Sequence, residues 1–225
     1  MRRLLRICIP FVVLAMGFST AKAQEISLKT PTVGSTFHYE WSYGGLESYT
    51  VISTDGGRLR VLLEQDFEND GTVDQRAVQY WHLSSRLWLA HMGNDLVNIY
   101  TPKDTDGLPT AVYDGLYFDG DFNLFTTDGL GDFTVDAAQV NSACDFFLLA
   151  DPVETEVGTF EAMEMNCVDT DLDTDGTQRD DPDSQYFYAE IWSLELGMPV
   201  YQYFGVDQET GDVDDFAMLV NYTLN

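Results

Sequence analysis

Two loops of this chain carry residue types at a spacing that suits a hard cation. The first spans residues 66–74 and places acidic side chains at alternate positions before a glycine, namely Asp66, Glu68 and Asp70, then Gly71 and Asp74. Glycine tolerates the backbone angles of a tight turn, and several carboxylate oxygens around one point favour Ca²⁺ over Zn²⁺. This loop predicts a calcium site.

The second loop spans residues 171–180 and repeats the order of alternate acids followed by Gly176, with acidic side chains at Asp171, Asp173, Asp175 and Asp180. It locally resembles an EF-hand loop, but Pro182 stands where that loop has its bidentate glutamate, and strand-like runs replace the flanking helices. Since Asp and Gly are also common turn residues, solvated hairpin turns remain the alternative. Calcium is the one cofactor that the sequence suggests.

The chain is strongly acidic, with 38 Asp and Glu against 11 Lys and Arg and a formal net charge of −27 in 225 residues. Such a charge repels nucleic acid and anionic membrane surfaces. It suits cations or a basic protein as partners, and equally a surface adapted to high salt.

The N-terminus predicts export. Arg2, Arg3 and Arg6 precede an apolar run over residues 7–18 and the small-residue stretch Ala21–Ala23, which together have the form of a signal peptide. We therefore expect a signal peptide over residues 1–23, one acidic β-rich domain over residues 24–225, and a secreted or periplasmic location. No later run reaches the roughly 20 apolar residues of a membrane span, so none is expected after cleavage.

Two cysteines lie beyond the signal peptide, Cys144 and Cys167. In an exported chain an even pair most often forms a disulfide. Their spacing is too wide for a Cys-x-x-Cys redox pair, so we expect a structural disulfide between them.

Period-two alternation of apolar and polar residues dominates the chain, as in Phe37, Tyr39 and Trp41 or in Leu59, Val61 and Leu63. This pattern predicts short strands joined by Asp-Gly turns. The expected fold is all-β and mainly antiparallel, a single-domain meander forming a barrel, half-barrel or sandwich. The fold has at most one short helix, and the one candidate for it is the segment 136–143.

Aromatic residues recur in strand-like runs of both halves, and the strongest candidates for a ligand-holding face are Trp41, Trp81, Trp88, Tyr188 and Trp192. Such a face suits a lipid or a glycan, whereas the same residues could also fill the core. A continuous cavity larger than about 300 Å³ lined by these aromatics would favour ligand binding.

Several short motifs resemble bacterial secreted β-sheet domains of unknown function, which are related in shape to lipoprotein-carrier half-barrels. The motifs are Val33-Gly34-x-x-Phe37-x-Tyr39, Val157-Gly158-Thr159-Phe160, Tyr188-Ala189 and Leu196-Gly197-Met198-Pro199-Val200-Tyr201. The chain departs from the pattern at residues 190–195, where the family has a Pro-Gly turn. The resemblance implies an exported β-sheet domain and no particular activity.

The sequence shows no Gly-x-Ser-x-Gly, His-Glu-x-x-His or phosphate-binding glycine motif, so a catalytic function is not the leading expectation. The first hypothesis is a non-enzymatic binding or surface-interaction module, stabilised by Ca²⁺. The first alternative is a carrier of an apolar ligand or glycan, and the second is a secreted hydrolase with a carboxylate pair.

Overall fold

The computed structural model of the chain describes residues 23–93, 96–103, 107–127, 136–173, 177, 184–206 and 213–225. The predicted signal peptide therefore lies outside the described residues, apart from its last position. Among the residues described, no helix has the length and apolar character that crossing a membrane requires.

Twelve long strands form a closed antiparallel barrel, which confirms the predicted fold class. They are β2 (Thr36–Trp41), β3 (Leu46–Ser53), β4 (Arg58–Asp66), β5 (Gln75–His82), β6 (Trp88–Gly93), β7 (Val97–Pro102), β9 (Leu116–Thr127), β10 (Asp136–Leu148), β13 (Ala162–Leu172), β14 (Gln185–Ser193), β15 (Pro199–Val206) and β16 (Val213–Thr223). The half-barrel implied by the resemblance is thus replaced by a complete barrel.

Each of the twelve barrel strands is hydrogen-bonded to its nearest barrel neighbours in the sequence, and β16 pairs with β2 to close the ring. Two short antiparallel pairs lie outside the barrel: β1 (Glu25–Ile26) with β8 (Val112–Tyr113), and β11 (Val153–Thr155) with β12 (Gly158–Phe160). A meander of this kind follows directly from short alternating strands and short turns.

The inward faces of the strands form the core. Phe37, Tyr39, Leu59, Val61 and Leu63 are all at most 1% exposed, while the residues between them on β2 and β4 are more accessible. Side chains of a strand point alternately to its two faces, so the period-two pattern in the sequence becomes an apolar interior and a polar exterior.

The predicted helix over residues 136–143 is wrong, because this segment is the first part of strand β10. Val140 pairs with Phe122 of β9 on one side and with Asp171 of β13 on the other. Two long neighbouring strands satisfy its backbone, and this tertiary pairing outweighs the helical preference of its alanines.

The disulfide between Cys144 and Cys167 is present, as predicted, and joins residues that lie directly opposite each other on β10 and β13. Both cysteines are buried in the core, at 0% and 5% exposure. The bond therefore links two neighbouring barrel strands from the inside.

The chain before β2 covers one end of the barrel, which we call the covered end. Ile26 is buried in the core, and the Lys29 amide donates a 2.8 Å hydrogen bond to the Leu194 carbonyl in the β14–β15 turn. Gly197 in that turn has φ +63°, and a Cβ there would lie 1.7 Å from the Lys29 carbonyl oxygen. Only glycine fits this approach.

Both aspartate-rich loops begin and end at the opposite end of the barrel, which we call the far end. Strands β4 and β13 run toward it, and β5 and β14 run back from it. An antiparallel meander places alternate connections at the same end, so these two loops share it.

Candidate functional site

A cavity of about 320 Å³ lies inside the barrel. It is lined by residues from strands β3, β5, β6, β7, β9, β10, β13, β14 and β15 and from the segments next to them, which are Tyr49, Gln79, Trp81, Arg86, Trp88, Tyr100, Leu124, Val140, Met165, Asp169, Asp171, Ser184, Tyr186, Tyr188, Glu190, Gln202 and Phe204. This volume lies at the lower end of the range found for small-molecule sites.

The cavity wall is largely aromatic. The ring centroids of Trp88 and Tyr100 lie 5.7 Å apart, and those of Tyr186 and Tyr188 lie 6.2 Å apart at an interplanar angle of 30°. The first pair belongs to β6 and β7 and the second to β14, which is not adjacent to them in the barrel. An apolar molecule inside the cavity would therefore meet aromatic surface from separate parts of the wall.

The structure divides the predicted aromatic face into three groups. Trp81, Trp88 and Tyr188 line the cavity. Trp192 is fully buried behind them, with its ring edge-to-face against Trp81 at 5.8 Å. Trp41 is not among the lining residues, but its ring stacks against Tyr43 and against Phe204, which does line the cavity.

Carboxyl groups also face the cavity, on β13 and β14. Burial, together with the negative charge of Asp171, raises the pKa of Asp169 to about 6, against the effect of a hydrogen bond with Ser142. Burial raises the pKa of Glu190 to about 7, although hydrogen bonds from Gln202 and Trp192 favour its charged form. Both groups can therefore exchange protons near neutral pH.

Glu190 is held by two donors. Trp192 Nε1 donates to Oε2 at 2.9 Å, and Gln202 Nε2 donates to Oε1 at 3.2 Å. The other amide atom of Gln202, Oε1, is buried without a hydrogen-bond partner among the described residues. Gln202 is 2% exposed and borders the cavity, so the cavity wall carries an unused acceptor.

A second buried carboxyl lies near Glu190 inside the barrel. Glu47 of β3 is 3% exposed and accepts a 2.6 Å hydrogen bond from Gln65. Burial raises the pKa of Glu47, and its charge in turn raises the pKa of Glu190. The charge of Glu47 thus opposes the ionisation of Glu190.

A cation lines the cavity toward the covered end. Arg86 is 0% exposed with φ 63°, and its Cζ lies 5.7 Å from the ring centre of Trp192. Its terminal nitrogens donate to the carbonyls of Leu83 and Lys29, the latter at 3.1 Å. Burial lowers the pKa of Arg86 to about 10, which leaves it charged at neutral pH.

The three histidines are scattered. His38 is on the exposed face of β2, and the Nδ1 of His82 lies 2.9 Å from the Ser85 hydroxyl. His91 is buried next to Gln79 and edge-on to Trp88. Burial lowers the pKa of His82 and of His91, so both favour the neutral ring.

The first aspartate-rich loop is held together by its own backbone. The two carboxylate oxygens of Asp66 accept hydrogen bonds from the amides of Asp70 and Gly71, at 3.1 and 2.7 Å. Asp70 accepts one from Thr72, and Asp74 accepts one from Phe67. Glu68 is exposed. Three of the four predicted ligands thus already accept N–H groups.

The second loop is described only in part, since Asp175 and Asp180 lie outside the described residues. Asp171 faces the cavity, and the Asp173 amide donates to the Thr177 carbonyl at 2.7 Å. Within the described ranges, no three Asp, Glu, His or Cys side chains are arranged to hold a metal ion. Calcium binding stays a prediction.

Sequence reasoning missed Asp169, Glu190, Gln202 and Arg86 as cavity residues. Glu190 and Gln202 share one signal, since each occupies an inward position on a strand whose neighbours at two residues' distance are aromatic or apolar, such as Tyr188 and Trp192 around Glu190. Asp169 lacks this signal on one side, because Asp171 is one of its two such neighbours. A polar residue on an apolar face marks a buried polar group. Arg86 lies in a turn and gave no such signal.

Comparison with known proteins shows a distant structural likeness. No family model matches the chain, and no curated protein is similar to it. The fold is similar to that of the hypothetical lipoprotein YmcC from Escherichia coli (K12), with 10% sequence identity, a TM-score of 0.48 and coverage of 88% of this chain and 90% of that chain. A likeness this distant carries no conclusion about activity.

Proposed function

We propose that this chain is an exported carrier protein that holds a small, mainly apolar molecule inside its barrel. The observation that carries the proposal is the cavity of about 320 Å³ lined by Trp81, Trp88, Tyr100 and Tyr188. It exceeds the size that the aromatic-face hypothesis required, and it is about twice the roughly 150 Å³ that accommodates benzene in an apolar protein cavity.

The surroundings of the cavity support a binding role. The barrel is closed, the disulfide links two neighbouring strands of its wall, and the N-terminal segment covers one of its ends. A preformed pocket loses little ordering entropy when it binds a ligand. Export is supported by the signal-peptide pattern and by the disulfide, which suits an oxidising compartment.

The experiment that tests the proposal is binding of toluene and of naphthalene to the full chain, followed by tryptophan fluorescence and thermal unfolding. Ligands that bind only the folded state raise its stability, by about 2.7 kcal/mol at 100 times the dissociation constant. We expect a raised midpoint and a change in the emission of Trp81 and Trp88.

A matched pair of variants locates the binding. Val140→Phe adds bulk to the cavity wall, whereas Val168→Phe adds the same bulk on the outward face of β13. We expect Val140→Phe to abolish toluene binding without lowering the unfolding midpoint, and Val168→Phe to retain binding. Equal binding by both variants would contradict the proposal.

A secreted hydrolase is the second candidate, because Asp169 and Glu190 line one cavity and both have raised pKa values. Carboxyl pairs with such environments serve as acid and base in glycoside hydrolysis. Release of nitrophenol from 4-nitrophenyl glycosides, lost in both Asp169→Asn and Glu190→Gln, would support this candidate. Turnover that survives both substitutions would eliminate it.

A further inference from the structure

We infer that the molecule held in the cavity is an organic amine, bound as its ammonium ion by the carboxylate of Asp169, with its apolar body against the aromatic rings. This inference rests on the proposed function and narrows its ligand class. It starts from two hydrogen-bond acceptors that the cavity leaves unused.

The first acceptor is Asp169 Oδ1, which is buried and without a hydrogen-bond partner among the described residues. No described Lys or Arg lies within 4.0 Å of this carboxylate. A buried acceptor without a donor costs free energy, and a charged one costs more. A ligand that brings an N–H donor with a positive charge removes both costs.

The second acceptor is Gln202 Oε1, on a side chain that is 2% exposed. It belongs to β15 and Asp169 to β13, two strands apart in the barrel. The strand register sets Gln202 four residues along from the level of Asp169, about 13 Å, so the two acceptors lie in different parts of the same cavity. Because the Gln202 side chain is uncharged, its unpartnered acceptor is an observation that does not depend on the acidity of the site. It needs a donor of its own, separate from the ammonium ion that binds Asp169.

The aromatic rings around Asp169 suit an ammonium ion. Tyr100, Tyr186 and Tyr188 line the same cavity as Asp169. Burial raises the pKa values of all three phenols, and the negative charge of Asp169 adds to the effect. A cation over an aromatic face gains further attraction, and about 2 kcal/mol or more when it is desolvated. A carboxylate flanked by rings therefore selects a cation with an apolar substituent.

Arg86 would favour an anionic ligand instead, because its Nε is buried without a partner among the described residues. However, its terminal nitrogens already donate to two backbone carbonyls, and its charge lies over Trp192. The chain as a whole carries −27, which concentrates cations near it and repels anions. The contacts of Arg86 and the net charge of the chain therefore favour a cationic amine over an anionic ligand.

The test compares probes of similar size and different charge on the unmodified full chain by isothermal titration calorimetry: 2-phenylethylamine, phenylacetate and toluene, with calcium chloride as a separate ion. We expect 2-phenylethylamine to bind about tenfold or more tightly than either of the others, because a hydrogen bond to a charged group is worth about 1.5–3 kcal/mol. Calcium should not displace it. Similar affinity for all three probes, preference for phenylacetate, or displacement by calcium would each overturn the inference.

Two variants test whether Asp169 supplies the negative charge that binds the amine. Asp169→Asn should weaken 2-phenylethylamine binding about tenfold and leave toluene binding unchanged, because only the amine uses the charged acceptor. Asp145→Asn is the matched control, since this half-buried acid on β10 is not among the residues that line the cavity. An equal loss in both variants would overturn the assignment.

The same binding data distinguish the carrier function from the inference that its ligand is an amine. Toluene binding that Val140→Phe abolishes, without a preference for the amine, would leave the carrier function in place and reject the amine. Absence of binding for every probe would reject both.

Discussion

Trp192 and Glu190 are joined inside the barrel by a 2.9 Å hydrogen bond from the indole N–H to the carboxylate, two residues apart on the inward face of β14. The indole favours the ionised carboxylate, but burial has the larger effect and raises the pKa of Glu190 to about 7. A pair of this kind makes the stability of the barrel depend on pH.

The first prediction concerns that dependence. Because the folded pKa of Glu190 lies above its unfolded value, the folded chain binds more protons than the unfolded chain between about pH 4.5 and pH 7. Stability therefore falls as the pH rises through this window. Urea unfolding of the unmodified chain should give a lower free energy of unfolding at pH 8 than at pH 5.

Glu190→Gln should reduce this pH slope and raise the free energy of unfolding at pH 8 by about 1–3 kcal/mol. The Gln202 amide can flip to accept from the new side-chain amide, since its Oε1 has no partner among the described residues. Glu64→Gln, in an exposed ion pair with Arg76, is the control and should leave the slope unchanged. A slope that Glu190→Gln does not alter would contradict the prediction.

The second prediction concerns Arg86. Arg86→Met removes the donors to the Leu83 and Lys29 carbonyls and should lower the free energy of unfolding by about 2–5 kcal/mol, since each buried acceptor left unpaired costs about 1–3 kcal/mol. It should also release the covering segment. We expect faster tryptic cleavage after Lys29, measured by mass spectrometry, with cleavage after Lys103 as the internal reference. Unchanged cleavage after Lys29 would show that Arg86 does not hold the segment.

The third prediction concerns the disulfide. Its sequence separation is 23 residues, and closure of a loop of that length stabilises a chain by about 3 kcal/mol in the chain-entropy description. The double variant Cys144→Ser and Cys167→Ser should lose about that much in urea unfolding. Adding a reductant should lower the free energy of unfolding of the unmodified chain and leave that of the double variant unchanged.

The fourth prediction concerns the first aspartate-rich loop. Asp66→Ala leaves the amides of Asp70 and Gly71 without their acceptor and should cost about 1–3 kcal/mol, with or without calcium. Glu68→Ala changes an exposed acid of the same loop and should stay within about 0.5 kcal/mol of the unmodified chain. Equal losses of stability in the two variants would show that the lost negative charge, and not the lost hydrogen bonds, causes the destabilisation.

The fifth prediction concerns calcium. If the second loop completes a shell of carboxylate oxygens, millimolar calcium chloride should raise the unfolding midpoint, and Asp175→Ala should abolish the rise. Magnesium chloride at the same concentration controls for general screening of the acidic surface. Absence of any response specific to calcium would reject the site.

Alternation was enough to predict the all-β class and the inward positions of Tyr39 on β2 and of Val61 and Leu63 on β4. Side-chain direction in a strand depends only on position along it, so a local pattern carries this information. The disulfide between Cys144 and Cys167 was also predictable, because only these two cysteines follow the predicted signal peptide.

The cavity could not be predicted in the same way. Its wall combines residues from strands that are far apart in the sequence, such as Trp88 of β6 and Tyr188 of β14, and their meeting depends on closure of the barrel. The segment 136–143 was misassigned for a related reason, because its strand conformation depends on the neighbours β9 and β13. Local pattern sets the face of a residue, whereas tertiary pairing sets its partners.

The pairing of β16 with β2 has a consequence for the time at which the cavity forms. Tyr222 pairs with Phe37 across this seam, so the first and last barrel strands must both be present before the ring is complete. Contacts so distant in sequence form late, because the whole intervening chain must be ordered first. If the chain is exported N-terminus first and carries a ligand as proposed, the barrel cannot close around that ligand before β16 has been exported, so the ligand must bind after export is complete.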